Sequence, residues 1–495
     1  MLIKGNLDRK AIHTINQIDP SSWKSEQLVS ILAGTGEGKS WFIKNKLYLY
    51  AKERNEKILF LVHRTNCDEQ FQKEIEFENK TDVITIKTYQ SIESKYKKHI
   101  NFDFTPYQYI VADEFHYFMA DSSFNHTTDL SLEAILSQED KIRIFMSATG
   151  DDMIRYLNIH REKSMIVYEK PIDYRFIRSL RFFNKDSTME EFIKQAIEEK
   201  QKAIFFIQSA DKAHDLYEKY SKHCLFNCSK SNKHYKSVDK EKIKNMLVNE
   251  RFEELILITT TCMDAGVNIH DSDLKNIVCD VKDIGTLIQC IGRKRLNKND
   301  PKDGIYLHVK SISNQQLGKM ISDFFEMRKH AKFLNKNGIA AYIEEYYRDE
   351  KVNNGIVYDE IVDGVPNKKV NNLMFFKYLI NELTYDKMIK NFGNNAYRKQ
   401  LAQIFNYSDY MYTVIEEDEK ITDLNQYLES IVGVKLYKEE QKQLIDMICL
   451  KDKRGRIQKR IDTLNAYFVE SKFNYIILPK KSGNTRYWKI ESVDR

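Results

Sequence analysis

Short apolar runs alternate with longer amphipathic segments over roughly residues 28–168 of the chain. The runs have the length of strands, and the segments between them have the length of helices. Six runs carry the pattern: LVSILA, ILFLV, VITI, YIVAD, IRIFMS and MIVY. Continuous apolar runs are typical of strands that are buried on both faces of a parallel sheet. The pattern therefore predicts an α/β domain whose parallel sheet is covered by helices on both sides.

The same alternation resumes after Pro171 and predicts a second α/β domain. The expected strands are SLRFF, AIFFI, HCLFN, LILIT, NIVCD and GIYLHV, and the expected helices are 189–200, 211–220 and 240–249. From residue 313 onward apolar residues recur at helical spacing, while residues 352–369 have the Asn, Gly and Pro content of a loop or hairpin.

The last stretch contains two expected helices followed by two alternating runs around a basic turn, which predicts a small α+β module of winged-helix type. Four regions result: 1–170 and 171–311 as tandem parallel-sheet domains, 312–435 as a helical accessory region, and 436–495 as a basic C-terminal module. A chain of 495 residues is too long for one hydrophobic core, which agrees with several domains.

The net charge of the chain is +6, and the positive excess lies at the C-terminal end. Residues 451–495 hold 12 Lys or Arg against 5 Asp or Glu, an excess of +7, so the preceding residues sum to −1. A concentrated basic patch commonly faces a polyanion such as nucleic acid. A lysine-rich solvated surface is the alternative, and charge alone does not separate the two.

The seven cysteines are scattered and odd in number, which fits reduced thiols in a cytoplasm. His223, Cys224, Cys228 and His234 lack the paired Cys-x-x-Cys spacing of a zinc site, so zinc is disfavoured. The first residues have no apolar core of signal-peptide length, and no stretch reaches the roughly 18 apolar residues of a membrane span. We therefore expect a cytoplasmic protein.

The sequence AGTGEGKS follows the expected strand LVSIL and precedes an amphipathic segment, which is the setting of a phosphate-binding loop. Its glycines would let backbone N–H groups turn toward phosphate oxygens, and the next helix would add the positive end of its dipole. Lys39 would reach the β- and γ-phosphates of ATP, and Ser40 would bind Mg²⁺. Ala33 stands where the general motif has its first glycine. The expected nucleotide-binding residues of this loop are Gly34, Thr35, Gly36, Gly38, Lys39 and Ser40.

The strand YIVAD delivers two carboxylates, Asp113 and Glu114, at its C-terminal end. Open α/β sheets bind ligands at the carboxyl ends of their strands, so we expect these groups beside the phosphate loop. We expect Asp113 to bind the Mg²⁺ ion through a water molecule. We expect Glu114 to be the general base that activates the attacking water. An acidic strand end that caps the next helix is the alternative.

In this order the motifs resemble those of the DExH-box helicases of superfamily 2, which are built on two tandem RecA-like domains. AGTGEGKS resembles motif I, DEFH resembles motif II, and SATG at residues 147–150 resembles motif III. The resemblance covers roughly residues 25–310 and implies an ATP- and Mg²⁺-dependent enzyme. It also implies that His116, Ser147 and Thr149 couple the ATP site to the nucleic-acid site.

The expected second domain carries LILITTTCMDAGVNI, which resembles motif V, and QCIGRKR, which resembles motif VI. The resemblance places Thr260 at the nucleic-acid backbone and Gly266 and Asn268 at the nucleotide, with Asn268 standing where many members carry Asp. The resemblance implies that Gln289 and Arg293 are catalytic. Arg293 would be an arginine finger that stabilises the transferring phosphoryl group.

Motif VI departs from the family's common form, QRxGRxGR, at two places. Cys290 replaces the first arginine, and Leu296 stands at the last position, which leaves Arg295 one place early. Whether Arg295 serves as a second finger therefore stays open.

Further expected nucleic-acid contacts follow other strands. Arg64 lies in a segment that resembles motif Ia, Thr88 and Gln90 lie in one that resembles motif Ib, and Ser209 lies in one that resembles motif IV. Such contacts to phosphates and sugars position a strand without reading its sequence. Each segment taken alone is also an ordinary strand-end loop.

The C-terminal segment interleaves aromatic and basic side chains and resembles the ends of some phage and mobile-element replication proteins. Aromatic faces can stack on bases while cations hold phosphates, although a buried sheet face also needs aromatic residues. The combined motifs predict an ATP-dependent helicase that acts on DNA rather than RNA, with a protein partner for the helical region as a further expectation. A duplex DNA translocase within a restriction or defence complex, and a nucleic-acid-binding scaffold without catalysis, are the alternatives.

Overall fold

The computed structural model describes residues 7–63, 65–123, 125, 127–161, 163–263, 267–297, 300, 303–346, 356–362, 365–408, 411–452 and 456–493. The chain divides into two compact units, Met1–Tyr412 and Thr413–Arg495. The first unit contains both expected α/β domains together with the helical region.

The first domain is built on a parallel sheet of seven strands in the order β1-β7-β2-β6-β5-β3-β4. The strands are β1 (Leu7–Ala11), β2 (Leu28–Leu32), β3 (Ile58–Val62), β4 (Ile84–Thr88), β5 (Tyr109–Asp113), β6 (Ile142–Ser147) and β7 (Met165–Glu169). The helices are α1 (Lys39–Phe42), α2 (Tyr48–Glu53), α3 (Thr65–Phe77), α4 (Tyr89–Lys97), α5 (Tyr117–Ala120), α6 (Thr128–Leu136) and α7 (Asp151–Arg155). Apolar cores lie on both faces of the sheet. In this order the carboxyl ends of β2, β6 and β5 are adjacent.

The second domain has six parallel strands of this unit in the order β10-β11-β9-β12-β13-β8. The strands are β8 (Ile177–Phe183), β9 (Lys202–Ile207), β10 (Cys224–Asn227), β11 (Ile256–Thr259), β12 (Leu274–Asp280) and β13 (Ile305–Lys310). The helices are α8 (Asp186–Glu198), α9 (Ala210–Tyr220), α10 (Lys240–Asn249) and α11 (Ile284–Ile291).

The helical region of the first unit packs on both α/β domains. Its elements are α12 (Asn314–Tyr346), the antiparallel pair β14 (Val357–Val362) and β15 (Val365–Val370), α13 (Asn372–Phe392) and α14 (Ala396–Ile404). On the first domain, Phe376 of α13 packs edge-on against Tyr156, with ring centroids 5.2 Å apart. On the second domain, the buried Tyr397 of α14 donates its hydroxyl to the carbonyl of Val281 at 3.2 Å. The α13–α14 pair therefore bridges the two domains.

The C-terminal unit places its elements in the order of a winged helix. They are β16 (Thr413–Val414), α15 (Ile415–Ser430), β17 (Lys435–Leu436), α16 (Lys438–Ile448), α17 (Ile461–Glu470), β18 (Tyr475–Ser482) and β19 (Thr485–Ser492). Strands β17, β19 and β18 form an antiparallel sheet in that order. The unit begins at Thr413, before the expected boundary at Leu436, because Leu424 and Leu428 of α15 pack in the same core as Leu444 and Phe468.

The predicted fold class is confirmed: two tandem parallel-sheet domains precede a mainly helical region and a small α+β module. The expected strands all form, but β1 was missed because four of its five residues are exposed at the edge of the sheet, which leaves no apolar run to recognise. Among the described residues, none of the helices combines the length and the apolar composition needed to cross a bilayer.

Candidate active site in the cleft between the α/β domains

The loop between β2 and α1 has the backbone of a phosphate cradle. Gly36 has a φ of +81° and Gly38 a φ of +94°, a left-handed conformation that glycine adopts without a steric penalty. Gly38 caps α1, so the helix begins at Lys39 and continues through the π turn Ile43–Leu47 into α2. The N–H groups at the start of such a helix favour an anion.

Lys39 is almost fully buried and is bonded to the loop that precedes it. Its Nζ donates to the carbonyl oxygens of Ala33 at 2.8 Å and of Gly34 at 3.2 Å. Burial lowers the pKa of Lys39, while the nearby carboxylates of Glu114 and Asp113 oppose that change. The ammonium group therefore lies within the cradle, beside the two acidic residues.

Asp113 and Glu114 follow β5 at the same end of the sheet. Burial and the neighbouring Glu114 carboxylate raise the pKa of Asp113 to about 7. Burial also raises the pKa of Glu114, but the hydrogen bond of His116 and the charges of Lys39 and His116 outweigh burial and lower it below its usual range. A carboxylate with a raised pKa is a group that a bound cation would keep ionised.

A hydrogen-bonded cluster joins Glu114 to the end of β6. His116 Nδ1 lies 3.0 Å from Ser147 Oγ, and the Ser147 hydroxyl donates to Glu114 Oε2 at 3.4 Å. The backbone N–H of Thr149 donates to Ser147 Oγ at 3.0 Å. Two hydrogen bonds through the Ser147 hydroxyl thus connect Thr149 to the carboxylate of Glu114.

Gln289 of α11 extends this cluster into the second domain. Its Nε2 donates to Thr149 Oγ1 at 2.7 Å, and its Oε1 accepts from Arg293 Nη2 at 3.3 Å. A Cβ on Gly292 would lie 2.8 Å from Thr35 Oγ1, so the helix end approaches the phosphate loop at a distance that only glycine permits. The two domains are therefore in direct contact through their motif residues.

The two arginines of the second domain lie in different environments. Arg293 is 2% exposed, and it donates to the carbonyls of Gln289 at 3.0 Å and of Val267 at 3.3 Å. Arg295 instead faces the phosphate loop, since its Nη1 lies 3.0 Å from the place a Cβ on Gly36 would take. Its Nε donates to Asn268 Oδ1 at 2.8 Å. The sequence left the role of Arg295 open, and the structure places its guanidinium in the cleft.

The cleft between the domains has a volume of about 300 Å³. Ten of its lining residues belong to the motifs identified in the sequence. They come from both domains and are Thr35, Gly36, Gly38, Lys39, Ser40, Asp113, Glu114, Asn268, Arg293 and Arg295. Sequence reasoning missed the remaining wall, formed by Trp41, Phe60, Val62, Phe71 and Glu74. No motif marks these residues, because they meet only where α1, β3 and α3 come together around the cleft. Gly34 lies at the start of the loop, where an added Cβ would lie 3.4 Å from Ile172.

The expected nucleic-acid residues that are described all take part in local structure. Thr88 and Ser209 accept N-cap hydrogen bonds from the backbone N–H groups of Ser91 at 3.2 Å and Lys212 at 3.3 Å. The exposed Gln90 donates to the carbonyl of His63 at 3.0 Å.

Thr260 is 7% exposed, and its Oγ1 accepts from the backbone N–H of Cys262 at 3.4 Å. Arg64 and Gly266 lie outside the described residues.

No family model and no curated protein matches the chain. Solved structures that it is similar to include Dbp5 of S. cerevisiae bound to RNA and ADP BeF3, with 14% identity over 57% of this chain and 79% of that chain and a TM-score of 0.43. The DEAD-box helicase Mss116 bound to ssRNA and UDP-BeF has 17% identity, coverages of 66% and 72%, and a TM-score of 0.45. The helicase Lhr of Mycobacterium smegmatis bound to ssDNA and AMP-PNP has 14% identity, coverages of 64% and 45%, and a TM-score of 0.37.

Proposed function

We propose that the protein is an ATP- and Mg²⁺-dependent DNA helicase of superfamily 2, in which closure of the cleft between the α/β domains completes the site of ATP hydrolysis. One observation carries the proposal: a continuous set of hydrogen bonds runs from Glu114 through Ser147 and Thr149 to Gln289 and Arg293. These bonds link Glu114, the proposed general base in one domain, to Arg293 of the other. A change in domain spacing would break the set at the bond between Gln289 and Thr149.

The residues of the cleft fit ATP and Mg²⁺. The cradle offers backbone N–H groups and the Lys39 ammonium to the phosphates, while Ser40 and Asp113 would hold the ion, Asp113 through water. The half-buried Asp113, whose pKa is raised, is a carboxylate that a cation would stabilise. Mg²⁺ would neutralise charge on the phosphate oxygens.

Glu114 would orient and deprotonate the attacking water, and the contacts of Ser147 and His116 with its carboxylate support this role. The second domain contributes guanidinium groups that would stabilise charge on the transferring phosphoryl group. Hydrolysis then depends on the position of the second domain, and this dependence would convert chemistry into movement along a strand.

The nucleic acid would bind along strand-end residues of both domains, including Arg64, Thr88, Gln90, Ser209 and Thr260. Contacts of this kind go to phosphates and sugars, so the grip would not depend on base sequence.

The C-terminal unit would add a second contact to the phosphate backbone. Lys480, Lys481 and Arg486 are exposed at the turn between β18 and β19. Helix α17 is less suited to a phosphate contact, because the acidic Asp462 is exposed on it and Asn465 is bonded to the backbone N–H and carbonyl of Ile477. The basic hairpin is therefore a surface of this unit that suits phosphates.

The direct test is the rate of ATP hydrolysis with single-stranded DNA, duplex DNA and RNA offered separately, followed by strand displacement. We expect single-stranded DNA to give the highest stimulation and a partial duplex to be separated. Removal of the third strand of a triplex without separation of the duplex would favour the translocase instead. Equal rates with and without all three nucleic acids would contradict the proposal.

A further inference from the structure

Arg295 is the end of a row of three side chains in the second domain. Its guanidinium donates to Asn268 Oδ1 through Nε, at 2.8 Å, and also through Nη2. Asn268 Nδ2 in turn donates to Glu250 Oε1 at 3.3 Å. Glu250 follows α10, in a left-handed conformation with a φ of +51°. None of the motifs identified in the sequence contains Glu250.

The backbone holds the three residues as neighbours. The N–H of Ile269 donates to the carbonyl of Arg293 and the N–H of Arg295 donates to the carbonyl of Ile269, both at 2.9 Å. The N–H of His270 donates to the carbonyl of Glu250 at 2.7 Å. The strand-like segment around Ile269 therefore ties the end of α10 to the segment that carries Arg295.

The chemistry of the row allows one orientation of the Asn268 amide. A carboxylate such as Glu250 only accepts hydrogen bonds, and a guanidinium such as that of Arg295 only donates them. The amide must therefore present its NH₂ group to Glu250 and its oxygen to Arg295. The oxygen then fixes the guanidinium whose Nη1 faces Gly36 of the phosphate loop.

We propose that Glu250 and Asn268 are positioning residues that hold Arg295 at the phosphate loop, and that Arg295 is a cation which the second domain presents to the transferring phosphoryl group. The proposal rests on the proposed ATP hydrolysis. Arg293 is held separately from this row, because its guanidinium is bonded to Gln289 and to the carbonyl of Val267.

The row also accounts for an asparagine at position 268, where the family that the sequence resembles often has aspartate. An aspartate there would bring a second carboxylate to within about hydrogen-bond distance of Glu250, and two such like charges repel. The Glu250 carboxylate orients the Asn268 amide, and the amide oxygen in turn orients the Arg295 guanidinium. A protein with the amide at position 250 and the carboxylate at position 268 should therefore hold Arg295 as well.

The test compares Glu250→Ala, Asn268→Asp and the exchange variant Glu250→Gln/Asn268→Asp in the full chain. Arg295→Ala gives the loss that results when the cation itself is removed, and Glu253→Gln is the matched control, since Glu253 is 81% exposed on the same loop. For each variant, kcat and KM for ATP are measured with DNA present, together with the Tm and the Kd of a non-hydrolysable ATP analogue.

We expect Arg295→Ala to lower kcat by about 10³-fold, as for the loss of an arginine finger. Glu250→Ala and Asn268→Asp should each lower kcat by roughly tenfold, as for the loss of a group that orients a catalytic side chain, while KM stays within about a factor of two. The exchange variant should recover most of the wild-type kcat. Glu253→Gln should match the wild type.

Three results would overturn the inference while leaving the proposed function intact: Arg295→Ala with the wild-type kcat, Glu250→Ala with the wild-type kcat, or an exchange variant no better than Asn268→Asp. The third result together with a lowered Tm of Glu250→Ala would show that Glu250 has a purely structural role. A wild-type protein that binds the analogue but hydrolyses no ATP would instead refute the proposed function, and this inference with it.

Discussion

The contact between Gln289 and Thr149 gives the clearest prediction about coupling between the domains. Gln289→Ala removes a 2.7 Å hydrogen bond to Thr149 Oγ1 and a 3.3 Å bond from the Arg293 guanidinium. A neutral hydrogen bond contributes about 1 kcal/mol, and one to a charged group about 1.5–3 kcal/mol. Only the Thr149 bond crosses between the domains, so the closed cleft should lose roughly 1 kcal/mol of stabilisation. Since about 1.4 kcal/mol is a factor of ten, kcat/KM for ATP should fall at least about fivefold.

The assay is a double-mutant cycle with Thr149→Val, which removes the accepting hydroxyl while keeping the shape of the side chain. We expect the single variants and the double variant to be non-additive by about 1 kcal/mol, a factor of about five in kcat/KM, because both single variants break the same bond. The Tm of each variant separates loss of coupling from loss of folding. Additive effects within about 0.3 kcal/mol would refute the claim that this bond transmits closure.

Two further predictions concern parts of the chain outside the cleft. Burial lowers the pKa of His308 to about 3, so the residue stays neutral in the folded protein. Below its ordinary pKa of about 6.5 the residue gains a proton on unfolding. Its contribution to folding stability is therefore present above that pH and is lost as the pH falls. From pH 7 to pH 5 this residue should cost about 2 kcal/mol of unfolding free energy. In denaturant unfolding His308→Asn should lack this part of the acid sensitivity, and an identical pH dependence in both proteins would contradict the assignment. Replacement of Lys480, Lys481 and Arg486 by Ser should make the slope of log K against log salt shallower by up to about 2–3. Duplex and single-stranded DNA binding would be titrated at several salt concentrations, and an unchanged slope would exclude the hairpin as a phosphate contact.

Much of the site follows from the sequence because parallel sheets align the carboxyl ends of their strands. The loop after β2, the acidic pair after β5 and Ser147 at the end of β6 all follow apolar runs that could be read as strands. Adjacent strands then had to bring Lys39, Glu114 and Ser147 together. Local signals were sufficient for this part.

Other features depend on contacts that no local signal encodes. The approach of Arg295 to Gly36 requires the backbone pairing of Ile269 with Arg293 and Arg295, so a comparison of motif spacing left its role open. The bridge of α13 and α14 rests on long-range packing such as that of Phe376 on Tyr156. Amphipathic periodicity predicts that such helices exist but not which surfaces they join.

The central claim is that nucleic acid drives ATP hydrolysis in this cleft with Glu114 as the general base. The decisive measurement is single-turnover ATP hydrolysis by the wild type and by Glu114→Gln, each with and without single-stranded DNA, alongside the Kd for ATP. The account predicts that DNA stimulates the wild type, and that Glu114→Gln binds ATP with similar affinity but loses at least about 10²-fold in the stimulated rate. Hydrolysis by Glu114→Gln at the wild-type rate, or a wild-type rate that DNA leaves unchanged, would contradict it.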